Sequence, residues 1–431
     1  MNSFNRRDFV KSAGAISIAG ATAGVGLSGC ASVGGAAKPK VVIVGGGFGG
    51  ATAAKYIAMW SEGKIDVTLV ERGSAFVSCP LSNLVLGGSK SIGDISVAYG
   101  GLDKYGIKRV QGEATGFDAD KKVLALADGT RLPYDRLILS PGIDFMLESL
   151  PGLAGAEARG KVLAAWKAGP ETVALRNQLT AMKDGGVFAI HIPKAPFRCP
   201  PGPYERACQV AWYFQQAKPK SKVLILDANE DVVSKKGLFM AAWNGKFKGV
   251  VEYRNNQEIQ DVDAKTNTLK MTFGDDLRAD VLNVLPPMRA GNIATQNGLN
   301  NSNKRWCQID WLTYESTAVK NVHILGDALQ IAPLMPKSGH MANQHGKVCA
   351  AAVIALLTGD VVNTTPMVAN TCYSFIDDKN VVHVASVHRY DAAQKTMVTV
   401  AGAGGLSPSP NLAEGVYANS WAKNIWADML T

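Results

Sequence analysis

The sequence has no Cys-x-x-Cys pair and no Cys-x-x-Cys-His. The first absence excludes a thioredoxin motif and a zinc ribbon, and the second excludes a c-type haem carried on this chain. No stretch of about 18 strongly apolar residues occurs, so no transmembrane segment is expected. No block of basic residues is interleaved with aromatics, which argues against nucleic acid as a partner. Charged residues are scarce at 19%, against 47% hydrophobic, so the chain is not disordered. The 45 glycines follow no fixed period, which excludes collagen. What is present is length: 431 residues allow two or three domains and a large core. The net charge is +9, of which Arg6, Arg7, Lys11 and Asp8 contribute +2 and the remainder +7. A moderately basic surface suits an acidic protein partner or an anionic substrate, or is simply a generic soluble surface. No metal site is expected.

The N-terminus reads as an address. Asn5-Arg6-Arg7-Asp8-Phe9-Val10-Lys11 precedes a weakly apolar, Gly/Ala-rich run from Ala13 to Leu27. Twin arginine, Phe, a second apolar residue, Lys and a mild apolar region predict a Tat export signal and a periplasmic destination. Leu27-Ser28-Gly29-Cys30 also fits a bacterial lipobox, which would make Cys30 a lipid anchor. The alternative is ordinary cleavage in the Ala-rich stretch before Lys38. The periplasm permits disulfides, so the cysteines there are expected to pair or to bind something. The seven are Cys30, Cys79, Cys199, Cys208, Cys307, Cys349 and Cys372. Cys208, Cys307 and Cys349 lie in ordinary apolar surroundings and read as small buried hydrophobes.

Lys40-Val41-Val42-Ile43-Val44 is an apolar, β-branched run and predicts a buried strand. It leads into Gly45-Gly46-Gly47-Phe48-Gly49-Gly50, a helix from Ala51 to Met59 and a second strand ending at Glu71. This is a βαβ unit with G-x-G-x-x-G at Gly45, Gly47 and Gly50 and an acidic residue 26 positions after the first glycine. Gly45 permits the tight turn, Gly47 lets the backbone approach a pyrophosphate and Gly50 lets helix and strand pack closely. The helix N-terminus favours the phosphates, and Glu71 can accept both hydroxyls of an adenosine ribose.

Further strands are expected at 108–111 and 123–126, and Tyr134 to Gly142 resembles the strand and turn by which two-dinucleotide flavoproteins leave their FAD domain. A late strand, Val322 to Leu325, ends in Gly326-Asp327, where such flavoproteins bind the ribityl chain of FAD. Two FAD fingerprints at opposite ends imply a discontinuous domain with another inserted in it. The insert shows strands at 187–192 and 222–227 but no G-x-G-x-x-G between them. Instead it has Pro193, Pro196, Pro200, Pro201 and Pro203, which remove five backbone donors and stiffen the loop. That loop is a poor pyrophosphate cradle, and it carries Cys199.

These motifs resemble the flavoprotein subunit of flavocytochrome c sulfide dehydrogenase, a relative of the sulfide:quinone oxidoreductases. The resemblance rests on Ser78-Cys79-Pro80-Leu81-Ser82-Asn83, Pro196 to Glu205, Met335-Pro336-Lys337-Ser338-Gly339 and Asn370-Thr371-Cys372-Tyr373-Ser374, with His340-Met341 a minor departure. It implies FAD held covalently through Cys79, a redox disulfide between Cys199 and Cys372, and a separate c-type cytochrome as electron acceptor. Glu205 would handle protons, or merely favour a helix N-terminus. Lys337 would set positive charge by the flavin pyrimidine, or cap a helix at the surface.

The expected fold is α/β: two Rossmann-like domains, the second inserted in the first, plus a small C-terminal interface domain. The divisions read 1–38 for signal and linker, 39–152 and 293–362 for the FAD-binding domain, 153–292 for the middle domain and 363–431 for the C-terminal one. An amphipathic helix is expected from Tyr417 to Leu430, with Trp421 a candidate cover of the flavin. The function expected is oxidation of hydrosulfide to sulfur or polysulfide. The rivals are a sulfide:quinone oxidoreductase, an NADH-dependent flavin reductase and a non-catalytic cytochrome-binding flavoprotein.

Overall fold

The computed structural model describes residues 37–431; the expected export signal and Cys30 lie outside the described residues. In chain order come β1 (Lys40–Val44), α1 (Phe48–Trp60), β2 (Asp66–Glu71), β3 (Lys108–Gln111) and β4 (Arg136–Leu139). Then follow β5 (Val187–Ile192), α2 (Gly202–Ala217), β6 (Lys222–Asp227), α3 (Lys236–Asn244), β7 (Val251–Arg254) and β8 (Val281–Val284). The chain closes with β9 (Val322–Ile324), α4 (Gly339–Thr358), β10 (Met367–Phe375), β11 (Val381–Asp391), β12 (Thr396–Leu406) and α5 (Leu412–Leu430).

Two parallel sheets organise this chain. The first has the order β9-β4-β1-β2-β3, the second β7-β6-β5-β8. Their inner strands carry apolar runs such as Val41-Val42-Ile43 and Phe188-Ala189-Ile190, buried because helices cover a parallel sheet, while the edge strands β3 and β7 are more polar and partly exposed. Strand β9 pairs with β4 in register Val322 to Leu137, so the chain leaves the first sheet, builds the second and returns. Helices α1 and α4 meet over small residues. A Cβ on Gly346 would lie 2.6 Å from the Gly49 carbonyl oxygen, and Asn343 donates to the Thr52 hydroxyl at 2.8 Å.

The C-terminal segment is an antiparallel sheet, β10-β11-β12, with α5 against it. The helix starts five residues before the sequence suggests, because Asn411 caps it: its Oδ1 accepts from the Glu414 N–H at 2.9 Å. At the other end the Lys55 ammonium donates to the carbonyls of Ala427 and Thr431, where a helix leaves its last carbonyls unpaired. This pins α5 to α1 and so carries Trp421 to a fixed place. Among the described residues no helix is long and apolar enough to cross a membrane.

Candidate functional site

The turn after β1 is shaped by its glycines. Gly45 has φ +97°, and a Cβ there would lie 2.4 Å from the Ser140 carbonyl oxygen. A Cβ on Gly50 would lie 1.9 Å from the Gly45 carbonyl oxygen, so the third glycine of the motif packs turn against helix. Gly47 differs: a Cβ there meets nothing within 4 Å, and the residue lines a cleft of about 960 Å³. Glu71 lines the same cleft at the end of β2, its carboxylate held by the N–H groups of Gly46 (2.6 Å) and Gly73 (2.7 Å). Across the cleft, Gly326 adopts φ +70° and presents Asp327. Its Oδ1 is buried without a hydrogen-bond partner, and burial raises its pKa against the pull of Arg198 and Lys337. A buried acceptor without a partner is costly and calls for a donor. The open face at Gly47, the helix N-terminus of α1, Glu71 and the unpartnered Asp327 together fit an extended dinucleotide such as FAD.

A second cleft of about 940 Å³ opens beyond it. The two share Phe48, Cys79, Arg198, Asp327 and Gly339, so they are continuous, with Cys79 at their junction. Into the second cleft the fold brings Cys199, Glu205 and Cys372. Cys199 sits in the proline-rich loop before α2 at φ +56°, an unusual backbone for a residue with a Cβ. It is held there by its N–H to the Lys337 carbonyl (2.8 Å) and its carbonyl to the Gly202 N–H (2.9 Å). A Cβ on Gly202 would lie 2.8 Å from the Cys199 sulfur, which explains the glycine. Cys372 comes from β10, and its sulfur contacts the Asn370 amide, whose oxygen accepts from the Ser338 hydroxyl at 2.6 Å.

Cys79, Cys199 and Cys372 are free thiols here; Cys208, Cys307 and Cys349 are fully buried. Burial pushes the Cys199 thiol far up, with Cys372 and Glu205 adding to the shift and Arg198 opposing it. Burial also raises Cys372, against Lys235 and the hydrogen bonds of Asn370 and Ser338. Glu205 is buried in the first turn of α2. Its oxygens accept from the Phe375 N–H (2.8 Å) and the Asn83 amide (2.8 Å). Burial raises its pKa against those bonds, so it keeps its proton above the ordinary carboxylate range. A carboxyl whose pKa is raised, beside two thiols, can serve as an acid or base.

Lys337 is turned away from the place expected for it. Its ammonium donates to the Asp327 carbonyl (2.9 Å) and the Leu329 carbonyl and lies 3.5 Å from the Trp306 ring centre. It lines neither cleft, and at 2% exposure it is no surface cap. Burial lowers its pKa to about 7. Its side chain supports the turn that carries Asp327, while its backbone carbonyl holds Cys199.

Trp421 does line the second cleft, packed edge-on to His340 at 5.7 Å. Sequence reasoning missed Arg198, His340 and Lys235. Arg198 stands inside a motif quoted for the resemblance and His340 directly follows another, as the departure from it, so their place beside Cys199 and Gly339 was a usable signal. Lys235 sits in a polar loop with no pattern to mark it.

Three family models match: "Pyridine nucleotide-disulphide oxidoreductase" over residues 39–175, "Sulfide dehydrogenase [flavocytochrome c] flavoprotein chain, central" over 172–286, and "Flavocytochrome c sulphide dehydrogenase, flavin-binding" over 364–430. The chain is 59% identical over 46 residues to a sulfide dehydrogenase [flavocytochrome c] flavoprotein chain from Chlorobaculum thiosulfatiphilum. That match covers 11% of this chain and 94% of the other sequence. It is 25% identical over 297 residues to a mitochondrial sulfide:quinone oxidoreductase of Dictyostelium discoideum, covering 67% of this chain and 65% of that protein, just under two thirds of its length. Among solved structures, the sulfide:quinone oxidoreductase of Aquifex aeolicus superposes with a TM-score of 0.71 at 15% identity, over 91% of each chain. At that identity the likeness is one of fold.

Proposed function

The chain belongs to the family of flavocytochrome c sulfide dehydrogenase flavoprotein chains, and from that premise we propose that it oxidises hydrosulfide with Cys199, Cys372 and FAD and passes the electrons to a separate c-type cytochrome. The observation that carries this reading is the cleft itself. Two cysteines 173 positions apart, from an inserted domain and a C-terminal sheet, line one cavity with a buried carboxyl, and that cavity runs into a dinucleotide cradle.

In the oxidised protein Cys199 and Cys372 form a disulfide. Hydrosulfide attacks one sulfur as a thiolate would, leaving a persulfide on that cysteine and a thiolate on the other. FAD, when bound, supplies the two-electron oxidation that restores the disulfide and lets sulfur or polysulfide leave. Glu205 holds or releases a proton at the sulfur nearest it. Cys79, at the junction of the clefts, is positioned to attach the cofactor as a thioether. Glu71 and Asp327 would hold its ribose and ribityl hydroxyls, and Trp421 with His340 screens the cleft from water on the α5 side. The Tat signal puts the reaction in the periplasm, where a soluble cytochrome can dock.

A quinone acceptor is the second reading, favoured by the likeness to the Dictyostelium and Aquifex proteins. An anaerobic titration of the purified protein separates the possibilities. Sulfide is expected to bleach the flavin band, NADH is not, and reoxidation is expected from cytochrome c faster than from a short-chain quinone. Cys199→Ser is expected to abolish the response to sulfide. Bleaching by NADH alone, or full sulfide turnover in Cys199→Ser, would overturn the assignment.

A further inference from the structure

Lys235 lies at the turn into α3, with its side chain directed inward; the residue is 5% exposed. Its ammonium donates to the Cys372 carbonyl (2.6 Å), the Ser374 hydroxyl (2.8 Å) and the Val382 carbonyl (3.3 Å). Side chains alternate along a strand, so Ser374 and Cys372 share one face of β10. The ammonium therefore stands on the face that carries the Cys372 sulfur. All three acceptors are neutral, and among the described residues Lys235 makes no ion pair with a carboxylate.

A buried ammonium without a counter-ion is costly. Burial lowers its pKa to about 8, and the groups that hold it up are Cys372 first, then Glu205, Cys199 and Glu414. An anion formed on Cys372 would offset that cost. We propose that Lys235 is the positioning residue that settles negative charge on Cys372 rather than Cys199 when their disulfide opens, so that hydrosulfide attacks Cys199. This rests on the function proposed above. In the step, HS⁻ bonds to the Cys199 sulfur and the bond between the two cysteine sulfurs breaks. The proton stays on the terminal sulfur of the Cys199 persulfide, and the electron pair of the broken bond leaves on Cys372 as a thiolate. The sulfur that is better stabilised as an anion is the better leaving group.

The other charged groups around the pair do not supply this asymmetry. Glu205, on α2, when ionised disfavours a thiolate on either cysteine. Arg198 favours one on Cys199, but burial, Cys372 and Glu205 act against it there. His340, on α4, accepts from the Thr371 N–H at 3.0 Å and is neutral at pH 7, since burial lowers it to about 4. Glu414 on α5 is paired with His383 of β11 at 3.0 Å. Arg206 is tied to Asn83, Asn283 and the Ala164 and Ala165 carbonyls. Lys235 is the cation left to Cys372.

The test is alkylation of the reduced holoprotein by iodoacetamide across a pH series, with peptide mass spectrometry reading Cys372 and Cys199 separately. In the wild-type protein the Cys372 midpoint is expected to lie below that of Cys199. In Lys235→Gln it is expected to rise by about one unit, a roughly tenfold slower reaction near neutral pH, with a smaller rise at Cys199. Lys235→Arg is expected to restore it. An unchanged Cys372 profile in a folded Lys235→Gln, or a wild-type Cys199 that titrates below Cys372, would overturn the proposal. The second comparison needs no variant. Neither arm uses sulfide, so a failure here is distinct from a failure of the sulfide titration.

Discussion

The two parallel sheets each hold a βαβ unit of the same topology, and the two units have been put to opposite uses. In β1-α1-β2 the turn is glycine, the helix N-terminus opens on a cleft, and the terminal acid, Glu71, lines it. In β5-α2-β6 the turn is proline-rich, its side chains carry a thiol, and the terminal acid is consumed. Asp227 is buried and accepts from the Tyr204 hydroxyl (2.7 Å), the Tyr253 hydroxyl (3.2 Å) and the Asn229 N–H and amide. Phe239 and Trp243 pack behind it, 5.7 and 6.1 Å from the Tyr204 ring. An acid that would meet a ribose in the first unit meets a tyrosine of its own helix in the second. The fold fixes where a turn and an acid stand; the side chains decide whether that place binds a nucleotide or holds a sulfur.

The largest effect is expected where backbone meets backbone. Gly50→Val drives a Cβ to 1.9 Å from the Gly45 carbonyl oxygen, which cannot move without opening the turn. The expected outcome is loss of flavin and of about 3 kcal/mol or more of stability, read from the flavin-to-protein absorbance ratio and a thermal melt. The counterpart in the other unit is Gly202→Ala, whose Cβ meets the Trp166 ring at 2.7 Å and the Cys199 sulfur at 2.8 Å. It is expected to keep flavin and lose the response to sulfide. Flavin loss in Gly202→Ala with retention in Gly50→Val would reverse the division of labour.

Acid is expected to act on both units alike, because each sheet buries one histidine. His191 on β5 contacts the Gln257 carbonyl at 3.2 Å, and His323 on β9 contacts the Thr313 carbonyl at 2.8 Å. Burial lowers both to about 4. A folded-state pKa below the unfolded value means the neutral ring stabilises the fold above the unfolded pKa, near 6.5. That stability is lost as pH falls towards 4. Between pH 7 and pH 5 each histidine is expected to account for about 2 kcal/mol of the loss. His191→Gln and His323→Gln should each flatten the pH dependence of urea unfolding by that amount. A slope unchanged in one of them would show that its sheet is not part of the same cooperative unit.

Much of this was legible in the residues. Strands β5 and β6 fall on the expected spans because parallel, buried strands are continuous apolar runs with sharp ends; β3, a largely exposed edge strand, also falls on its span but without that signal. The roles of Gly45, Gly47 and Gly50 could be read from spacing, since only backbone geometry is at stake. The gathering of Cys199 and Cys372 was not legible from spacing, because β10 meets the loop before α2 only through tertiary packing; resemblance alone suggested it. The direction of Lys337 was not legible either. A lysine beside a flavin motif suggests charge in the site, yet two carbonyls of the turn that carries Asp327 and the Trp306 face draw the ammonium inward. Lys235 gave no signal, since its acceptors lie on strands more than a hundred residues further along the chain.

The smallest effect sharpens the comparison most. Tyr204→Phe removes one of the donors to Asp227 and also the acceptor of the Val233 N–H. Asp227 is already raised by burial against its hydrogen bonds. It keeps Tyr253 and Asn229, so the cost expected is only about 1 kcal/mol, at the low end for a buried polar loss, measured by denaturant unfolding. The variant should hold its flavin and still ignore NADH. The reason is that freeing one acceptor does not rebuild a phosphate cradle: the five prolines still remove the donors a pyrophosphate needs. If Tyr204→Phe came to bind NADH, the acid's occupation rather than the loop would be what closed the second unit to nucleotides, and the contrast between the two turns would rest on the wrong residue.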